Sequence, residues 1–458
     1  MRQITFLSAL LLSATGVLSA DFSGQAAERL SEYIQVNTVN PPGNETNGAQ
    51  FFAKIFEDAG IQYETAESAP GRGNIWARLK GGDKPALVLL SHMDVVSADP
   101  NYWDFAPYDG TLKDGYVHGR GALDMKSLGI VQLQGFLALH ASGQKLTRDV
   151  IFVATADEEA GGAFGAGWLV ENRPEIFGNV GYLLNEGGGG SIYGTDTVFS
   201  VEVTQKVPLW LRLVAKGNPG HGSSPQTETA VTRILRAGNR LALTKFPVHV
   251  IPAVKSLFES TAQYQEKKLA ERYADISNAI HDAEFMNYLQ LTNPRANSLL
   301  RNTCSVTRLS GSSKINVVPT EASIELDCRL LPDQDAEEFV KELVIIINDP
   351  NVEIEKIMGF SAAVSSVDTP LYRVIESTIE SHFPGAKVVP GVTTGFTDSH
   401  FFRDLGITSY GFGPFVTPQI DRRSVHGNNE RITVENMERG TRVMIDLLNK
   451  FAIAHNER

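Results

Sequence analysis

Cysteine is scarce in this chain, which has only Cys304 and Cys328 among its 458 residues. Two thiolates are too few for a zinc site made of cysteine. Both cysteines lie in strand-like stretches. The sequence therefore allows either a disulfide between neighbouring strands or two free buried thiols.

Positive charge is scarce as well. The formal net charge is −12, and the sequence contains no basic stripe with interleaved aromatic residues. Proteins bind a phosphate backbone mainly through lysine and arginine. We therefore expect no nucleic-acid partner.

Long apolar runs are absent after the N-terminal segment. There, Arg2 precedes an apolar run at 4–12, and small residues follow as far as Ala20. This pattern is typical of a secretory signal peptide, predicted here over residues 1–20, although an uncleaved N-terminal anchor has a related pattern. The mature chain is expected to be secreted or periplasmic, with no membrane span.

The order of the predicted strands and helices indicates an α/β fold in two halves. A chain of 458 residues is too long for one ordinary core. Buried strands alternate with helices up to about residue 205 and again after about residue 363. Between them, half-exposed strands and a long helical stretch at 254–290 indicate a distinct α+β unit. We predict one α/β domain from 21–205 and 363–458, with an insert at 206–362.

Three apolar strands of this α/β domain are followed by side chains that can bind metals. The strand at 86–90 leads to His92, the strand at 149–155 leads to Glu158 and Glu159, and the strand at 180–184 leads to Glu186. If the strands are parallel, their carboxyl ends meet at one edge of the sheet, where ligands gather. Crowded carboxylates repel one another and take up protons unless a cation is present.

Two more residues complete the candidate set: Asp124 at a predicted helix start and His426 in a late loop. Imidazole and carboxylate without thiolate suit zinc or a similar divalent ion. Two ions about 3.5–4 Å apart can share a carboxylate and a hydroxide. Each residue alone also has an ordinary structural explanation, such as a helix cap for Asp124 or a surface position for His426.

Nine short motifs carry a family resemblance, in a fixed order along the mature chain. They are S-H-M-D-V-V (91–96), G-R-G-A-L-D-M-K (119–126), D-E-E (157–159), N-E-G-G (185–188), G-H-G-S-S-P (220–225), N-V-V-P (316–319), D-C-R (327–329), T-D-S-H (397–400) and V-H-G-N-N-E (425–430). They resemble the di-zinc exopeptidases and amidohydrolases of peptidase family M20. That group includes aminoacylase, carboxypeptidase S, glutamate carboxypeptidase and succinyl-diaminopimelate desuccinylase, and this sequence is most similar to the carboxypeptidase S branch.

The resemblance implies a fold and a set of metal ligands. The fold is a mixed, largely parallel sheet sandwiched by helices, with an inserted α+β lid and dimerisation domain. Two zinc ions, or cobalt or manganese, are expected, with Asp124 bridging them. The resemblance assigns His92 and Glu186 to one ion and Glu159 and His426 to the other. Glu158 is the implied general acid–base, and Asp94 the partner of the His92 ring.

The resemblance also implies roles for residues of the insert. His221 matches a residue that reaches a neighbouring active site to stabilise the oxyanion, and a homodimer through the lid is expected. Asn316 and Arg329 match residues that grip the substrate carboxylate, and lid closure is expected to gather His221 and Arg329 at the site. His400 is a competing metal ligand, which we place near the site rather than in it.

The implied activity is hydrolysis of an amide bond next to a free carboxylate, through a di-zinc-bound hydroxide and a glutamate base. The substrate would be a small peptide or an N-acyl amino acid, so a carboxypeptidase, a dipeptidase and a deacylase or desuccinylase all remain open. Gly222-Ser223-Ser224 invites a serine hydrolase, but the sequence has no G-x-S-x-G motif. A third hypothesis is a non-catalytic binding protein on the same fold.

Overall fold

The computed structural model describes residues 21–361 and 363–454, so the predicted signal peptide lies outside the described residues. The first part of the chain forms four helices and nine strands. These are α1 (Ala26–Ile34), α2 (Glu45–Asp58), β1 (Tyr63–Glu67), β2 (Gly73–Leu79), β3 (Lys84–His92), β4 (Thr111–Lys113), β5 (Tyr116–His118), α3 (Lys126–Ala141), β6 (Arg148–Thr155), α4 (Ala166–Asn172), β7 (Val180–Asn185), β8 (Gly189–Tyr193) and β9 (Asp196–Gln205).

The middle part contains six strands and seven helices. They are β10 (Val207–Lys216), β11 (Gly220–His221), α5 (Ala230–Leu243), α6 (Pro252–Thr261), α7 (Lys267–Ala274), α8 (Ile276–Ala279), α9 (Ala283–Thr292), α10 (Pro294–Ser298), β12 (Thr303–Ser310), β13 (Val317–Val318), β14 (Glu321–Leu330), α11 (Ala336–Ile347) and β15 (Val352–Gly359).

The last part returns to α/β alternation. It contains α12 (Pro370–His382), β16 (Lys387–Thr393), α13 (Ser399–Asp404), β17 (Thr408–Gly411), α14 (Gln419–Arg422), β18 (Arg431–Thr433) and α15 (Val434–Ala452). Among the described residues, none of these helices combines the length and apolar character that a membrane crossing requires.

A mixed nine-stranded sheet forms the centre of the α/β part, with the order β1-β2-β6-β3-β7-β17-β9-β16 and β8 paired to β9. The pairs β3–β6, β3–β7 and β7–β17 are parallel, while β1–β2 and β2–β6 are antiparallel. The predicted α/β class is therefore confirmed. The three strands that lead to His92, Glu158 and Glu186 are parallel neighbours, as the convergence argument required.

Helices cover both faces of this large sheet. On β3, Leu87 and Leu89 pack into one hydrophobic cluster, which α1, α2, α3 and α15 also line. Ala86, Val88 and Leu90 pack into a second cluster on the opposite face, with α4 and α13. A strand buried on both faces explains why its sequence is a continuous apolar run rather than an alternating one.

The insert contains a four-stranded antiparallel sheet with the order β12-β14-β10-β15. This small sheet has its own core with α5 and α11, to which Leu211, Ile324 and Leu343 contribute. Cys304 on β12 faces Cys328 on β14, and the two form a disulfide. Of the two possibilities that the sequence allowed, a disulfide and two free thiols, the structure shows the disulfide.

The long helical stretch of the insert differs from its prediction. Instead of one run at 254–290, the chain forms the shorter helices α6 to α10. They share a separate hydrophobic cluster that includes Val392 of β16, so this stretch packs against the large sheet rather than against the small sheet's core. The predicted domain boundaries at 206–362 stay a prediction. Residues 251–300 fall within these boundaries in sequence, but they pack against the large sheet.

The two connections between the sheets run side by side. The Ser365 amide donates to the Val203 carbonyl at 2.8 Å, and the Phe360 amide donates to the Pro208 carbonyl at 3.3 Å. Lys206, which is buried in the first connection, donates from Nζ to the Arg301 carbonyl at 2.8 Å and to Thr303 Oγ1 at 3.1 Å. Two acceptors match a neutral amine, and burial lowers the pKa of Lys206 from 10.5 to about 7.

This buried lysine predicts a pH effect on stability. Between pH 7 and 10.5 the unfolded chain holds a proton on Lys206 that the folded chain has released, so stability rises with pH. The free energy of unfolding of the wild type, minus that of Lys206→Met, should therefore rise with pH in this window. The rise is at most about 1.4 kcal/mol per pH unit. Denaturant unfolding from pH 7 to 10 measures it.

The matched control is Lys54→Met, since the Lys54 side chain is 76% exposed in a surface ion pair. Its difference from wild type should stay flat over the same pH range. A Lys206→Met difference that is equally flat would contradict the prediction.

Candidate metal centre

Five candidate ligands meet at the carboxyl ends of the central strands. They form two groups, and within each group the ligand atoms lie within 4.8 Å of one another. Asp124 belongs to both groups. One group is His92, Asp124 and Glu186, and the other is Asp124, Glu159 and His426. The structure therefore brings together all five residues that the sequence nominated.

The first group is centred on the His92 ring. Its Nε2 lies 3.2 Å from Asp124 Oδ1 and 3.7 Å from Glu186 Oε1. Its Nδ1 lies 3.0 Å from the backbone carbonyl of Asp94 and 3.5 Å from the Asp94 carboxylate. An Nδ1–H that donates to this carbonyl leaves the Nε2 lone pair free for a metal. Asp94 is therefore the neighbour of His92 Nδ1, as expected, but the shorter contact is with its backbone carbonyl and not with its carboxylate.

The second group is centred on His426, whose side chain is half-exposed. Its Nε2 lies 3.1 Å from Asp124 Oδ2 and 3.0 Å from Glu159 Oε2. The two oxygens of Asp124 therefore face different imidazoles, which is the arrangement of a bridging carboxylate. Asp124 is not a helix cap, because α3 begins after Met125.

The Asp94 carboxylate fixes the turn that carries both glutamates. Its Oδ1 accepts from the Glu158 amide at 3.1 Å, and its Oδ2 accepts from the Glu159 amide at 3.1 Å. Asn40 adds a third hydrogen bond at 2.9 Å. One buried carboxylate thus holds the end of β3 against the end of β6.

A buried arginine holds the same turn from the other side. Arg72 pairs with Asp157 and, at 2.8 Å, with Glu45. Asp157 has a φ of +71°, in the left-handed region that non-glycine residues avoid, and His426 has a φ of +57°. Such backbone strain is typical of functional sites. Sequence reasoning missed Arg72 and Glu45, since nothing in their local sequence links them to the D-E-E motif.

Glu430 is the second important residue that sequence reasoning missed. It is fully buried and pairs with Arg120 at 2.6 Å. Its other oxygen accepts from the amides of Leu123 at 2.7 Å and Asp124 at 3.1 Å. Glu430 therefore fixes the backbone that presents the bridging Asp124. Both members of the pair stand in quoted motifs, but their contact spans 310 residues of sequence.

The site is crowded with carboxylates, and their pKa values reflect it. Burial, and then the charge of Glu186, raise the pKa of Glu158 well above its usual range. Burial, and then the charge of Asp124, do the same for Glu186. Hydrogen bonds to Asp124 and Glu159 raise the pKa of His426 to about 10. These shifts favour protonated carboxyls at Glu158 and Glu186 unless a cation balances the charge.

Glu158 lies beside the two groups rather than within them. Its Oε2 is 4.0 Å from His92 Nε2, and its side chain is buried. Its neighbour Glu159 contacts His426 instead. The two adjacent glutamates therefore point to different parts of the site, as expected when only one of them is a ligand.

The insert residues lie at opposite ends of the small sheet. His221 on β11 is exposed, pairs in register with Val317, and lies 2.8 Å from Ser223 Oγ. Asn316 is close by, since its carbonyl accepts from the Gly222 amide at 2.8 Å. Arg329 stands near the far end of β14, about 26 Å from Glu321 at the start of this strand, at 3.3 Å per residue.

The expected gathering of His221 and Arg329 by lid closure stays a prediction. In the described chain, His221 lies in the two-stranded sheet β11–β13 and Arg329 lies in the four-stranded small sheet. Arg329 is the one near the connections to the large sheet. It pairs with Asp327 at 2.7 Å and lies over the Phe396 ring.

His400 contacts none of the five candidate ligands among the described hydrogen bonds and ion pairs. Its ring stacks on Phe360 with centroids 3.7 Å apart, and burial lowers its pKa to about 3. A neutral, stacked imidazole fits a packing role. The neighbouring Asp398 is nearer to the chemistry, because it accepts from Thr155 Oγ1 at 3.1 Å, at the end of β6.

Comparison with known proteins places this geometry in a family. Residues 88–450 match the family described as Peptidase family M20/M25/M40. The chain belongs to this family. It is therefore a hydrolase that acts on amide bonds, which excludes the non-catalytic hypothesis and disfavours a serine hydrolase.

Individual relatives agree with this assignment. The N-fatty-acyl-amino acid synthase/hydrolase PM20D1 of Xenopus tropicalis is 30% identical over 443 residues, covering 93% of this chain and 85% of the relative. The probable carboxypeptidase S-like 2 of Dictyostelium discoideum is 28% identical, with 79% and 70% covered. The M20 family metallo-carboxypeptidase Sso-CP2 of Sulfolobus solfataricus has the same fold, with a TM-score of 0.72, 18% identity, and 93% and 99% covered.

The Glu430 contacts predict a loss of stability on substitution. Glu430→Gln leaves Arg120 as a buried charge without a charged partner, which costs about 3–5 kcal/mol. Metal affinity should also fall by about 10–100-fold, because the Asp124 backbone is no longer fixed. Denaturant unfolding and metal titration measure the two effects.

Glu435→Gln is the matched control, since the Glu435 side chain is 79% exposed. Its effect on stability should stay within about 0.5 kcal/mol. Equal effects of the two substitutions would show that the buried pair does not support the loop.

Proposed function

We propose that this chain hydrolyses an amide bond next to a free carboxylate, with two divalent metal ions, preferably zinc, as cofactors. The observation that carries the proposal is the pair of ligand groups that share Asp124. The donor set supports it, because imidazole nitrogen and carboxylate oxygen are ligands that zinc accepts. Carboxylates crowded enough to hold protons support it too.

In this proposal His92 and Glu186 hold one ion, Glu159 and His426 hold the other, and Asp124 bridges. Bound ions of this kind lower the pKa of a water and polarise a carbonyl. Cobalt and manganese accept the same ligands.

Glu158 is proposed as the general base and acid. Its raised pKa favours a carboxyl that accepts a proton and then passes it to the leaving amine. Its backbone is fixed by Asp94, which supports a constant position relative to His92. Glu158 also stands outside both ligand groups, so it remains available for proton transfer.

Arg329 is proposed to bind the carboxylate of the substrate, together with Asn316. Arg329 Nη1 is buried and has no hydrogen-bond partner in the described part of the chain. A planar guanidinium with a spare donor suits a carboxylate. An N-acyl amino acid and a peptide C-terminus both present this group. The Xenopus relative favours the N-acyl amino acid, and the carboxypeptidase relatives favour the peptide.

A second copy of the chain is proposed to supply Asn316 and His221. Both lie beyond the end of β14 that is opposite to Arg329, which supports a homodimer through the insert. In such a dimer, His221 of one copy would stabilise the oxyanion at the other copy's site.

Export of the mature chain is also part of the proposal. The signal-like segment at 1–20 supports it. The Cys304–Cys328 disulfide supports it too, because disulfides persist in oxidising compartments.

The proposed roles are tested first with Glu158→Ala. Without its base the enzyme should lose about 10²–10⁴-fold in kcat, while both metal ions stay bound. Activity is measured over a panel of N-acyl amino acids and dipeptides, and metal content by mass spectrometry. Loss of a metal ion from this variant would move Glu158 into the ligand set and sink its role as base.

The proposed second copy is tested by mixing two inactive variants. His221→Ala and Glu158→Ala chains are refolded together or co-expressed. Half of the dimers are then mixed, and each mixed dimer has one complete site, so about a quarter of wild-type activity should return. No recovery from two well-folded, dimeric variants would contradict the shared site, as would full activity of His221→Ala alone.

A further inference from the structure

A cavity of about 590 Å³, separate from the candidate metal ligands, is lined by three arginines. Its walls are residues 191–193 of β8, residues 417–419, Arg295 of α10, and Arg422 and Arg423 at the end of α14. The three arginines come from two distant parts of the sequence and converge on one space.

The cavity has no acidic residue in its lining, although the chain carries a net charge of −12. Within the described residues, none of the three guanidiniums forms an ion pair with a carboxylate. The nearest acidic neighbour in sequence, Asp421, is buried and pairs with Arg431 at 2.8 Å. Three other cavities that contain arginine also contain aspartate or glutamate.

The walls of this cavity are fixed by hydrogen bonds. Arg422 donates from Nε to the Thr417 carbonyl at 3.2 Å and from Nη2 to the Gly190 carbonyl. The Gly190 amide donates to the Phe415 carbonyl at 2.8 Å, which joins β8 to the segment before α14. Arg295 and Arg423 form no side-chain hydrogen bond in the described part of the chain, so their donors remain available.

Both walls continue directly into the loops of the metal centre. β8 begins three residues after Glu186, and Arg423 precedes His426 by three residues. The cavity is thus connected, through short segments of chain, to the loops that carry one ligand of each proposed ion. It contacts neither Arg329 nor the small sheet, since the lining includes no residue of either.

We propose that this cavity binds the carboxylate or phosphate group of a small organic anion. Arginine offers a planar fork of donors that matches either group. Burial lowers the pKa of Arg422; Tyr193 opposes this shift, and the positive charge of Arg295 adds to it. Ile192, Tyr193 and Pro418 offer apolar surface for the rest of the molecule.

The proposal goes beyond the amide hydrolysis and is tested without turnover. Calorimetric titrations of the full-length, metal-loaded protein use benzoate and inorganic phosphate at constant chloride. The test variant is Arg295→Gln with Arg423→Gln, which removes two guanidiniums that hold no wall in place. The matched control is Arg236→Gln with Arg373→Gln, since both side chains are about half-exposed in ion pairs elsewhere.

At least one probe should bind the wild type and lose about tenfold or more in affinity in the test variant. The control variant should bind it like the wild type. Loss of phosphate alone would identify a phosphate site, and loss of benzoate alone an organic carboxylate site.

Three results would overturn the proposal: no binding of either probe to wild type at millimolar concentration, equal affinity in the test variant, or equal weakening in the control. Binding at the metal ions persists in the test variant, so it cannot imitate the expected loss. Failure of amide hydrolysis with intact benzoate binding would count against the proposed function alone.

Discussion

Repulsion between buried carboxylates is the constraint on which the rest of the site depends. Asp94, Asp124, Glu158, Glu159 and Glu186 lie together at one edge of the sheet, with only His92 and His426 as cationic partners among their described ion pairs. Even two imidazoliums leave the carboxylates in excess. Burial, and then the charge of a neighbouring carboxylate, therefore raise the pKa values of Glu158 and Glu186. Divalent cations remove this cost directly, which is why the same arrangement is unfavourable as a structural core and favourable as a metal centre.

The fold tolerates this crowding because residues around the ligands are themselves fixed. The Asp94 carboxylate accepts hydrogen bonds from two backbone amides of the D-E-E turn, and the Glu430 carboxylate accepts one from the Asp124 amide. Arg72 forms an ion pair with Asp157. Each of these buried charges is paired or hydrogen-bonded, as burial requires. The ligands can therefore stay close together before any ion binds, which reduces the reorganisation that binding needs.

The sequence predicted the central sheet and the closeness of the five candidate ligands, because both follow from local patterns, whereas their role as ligands stays a prediction. A continuous apolar run such as 86–90 predicts a strand buried on both faces, and polar residues at its end predict a site. It did not predict Arg72 or Glu430, whose partners are far away in sequence, nor β8, whose glycines give no strand signal. Gly188 shows why glycine stands there: a Cβ would lie 2.3 Å from the Gly411 carbonyl oxygen. The breaks in the helical stretch were also missed, although side-chain caps such as Asp282 before α9 and Asn293 before α10 mark two of them.

The small sheet sets a geometric limit on how close its two ends can come. β10 and β14 pair over ten residues, which holds the two ends of the sheet apart. Arg329 lies beside the paired connections at Lys206 and Phe360, whereas His221 lies beyond the other end of β14. This separation within one chain is the physical basis of the proposed homodimer, in which the two residues of one site come from different copies. The arginine cavity is free of this limit, because β8 and α14 belong to the large-sheet part and α10 packs with it. A ligand there would reach the metal-centre loops of its own chain in any position of the small sheet.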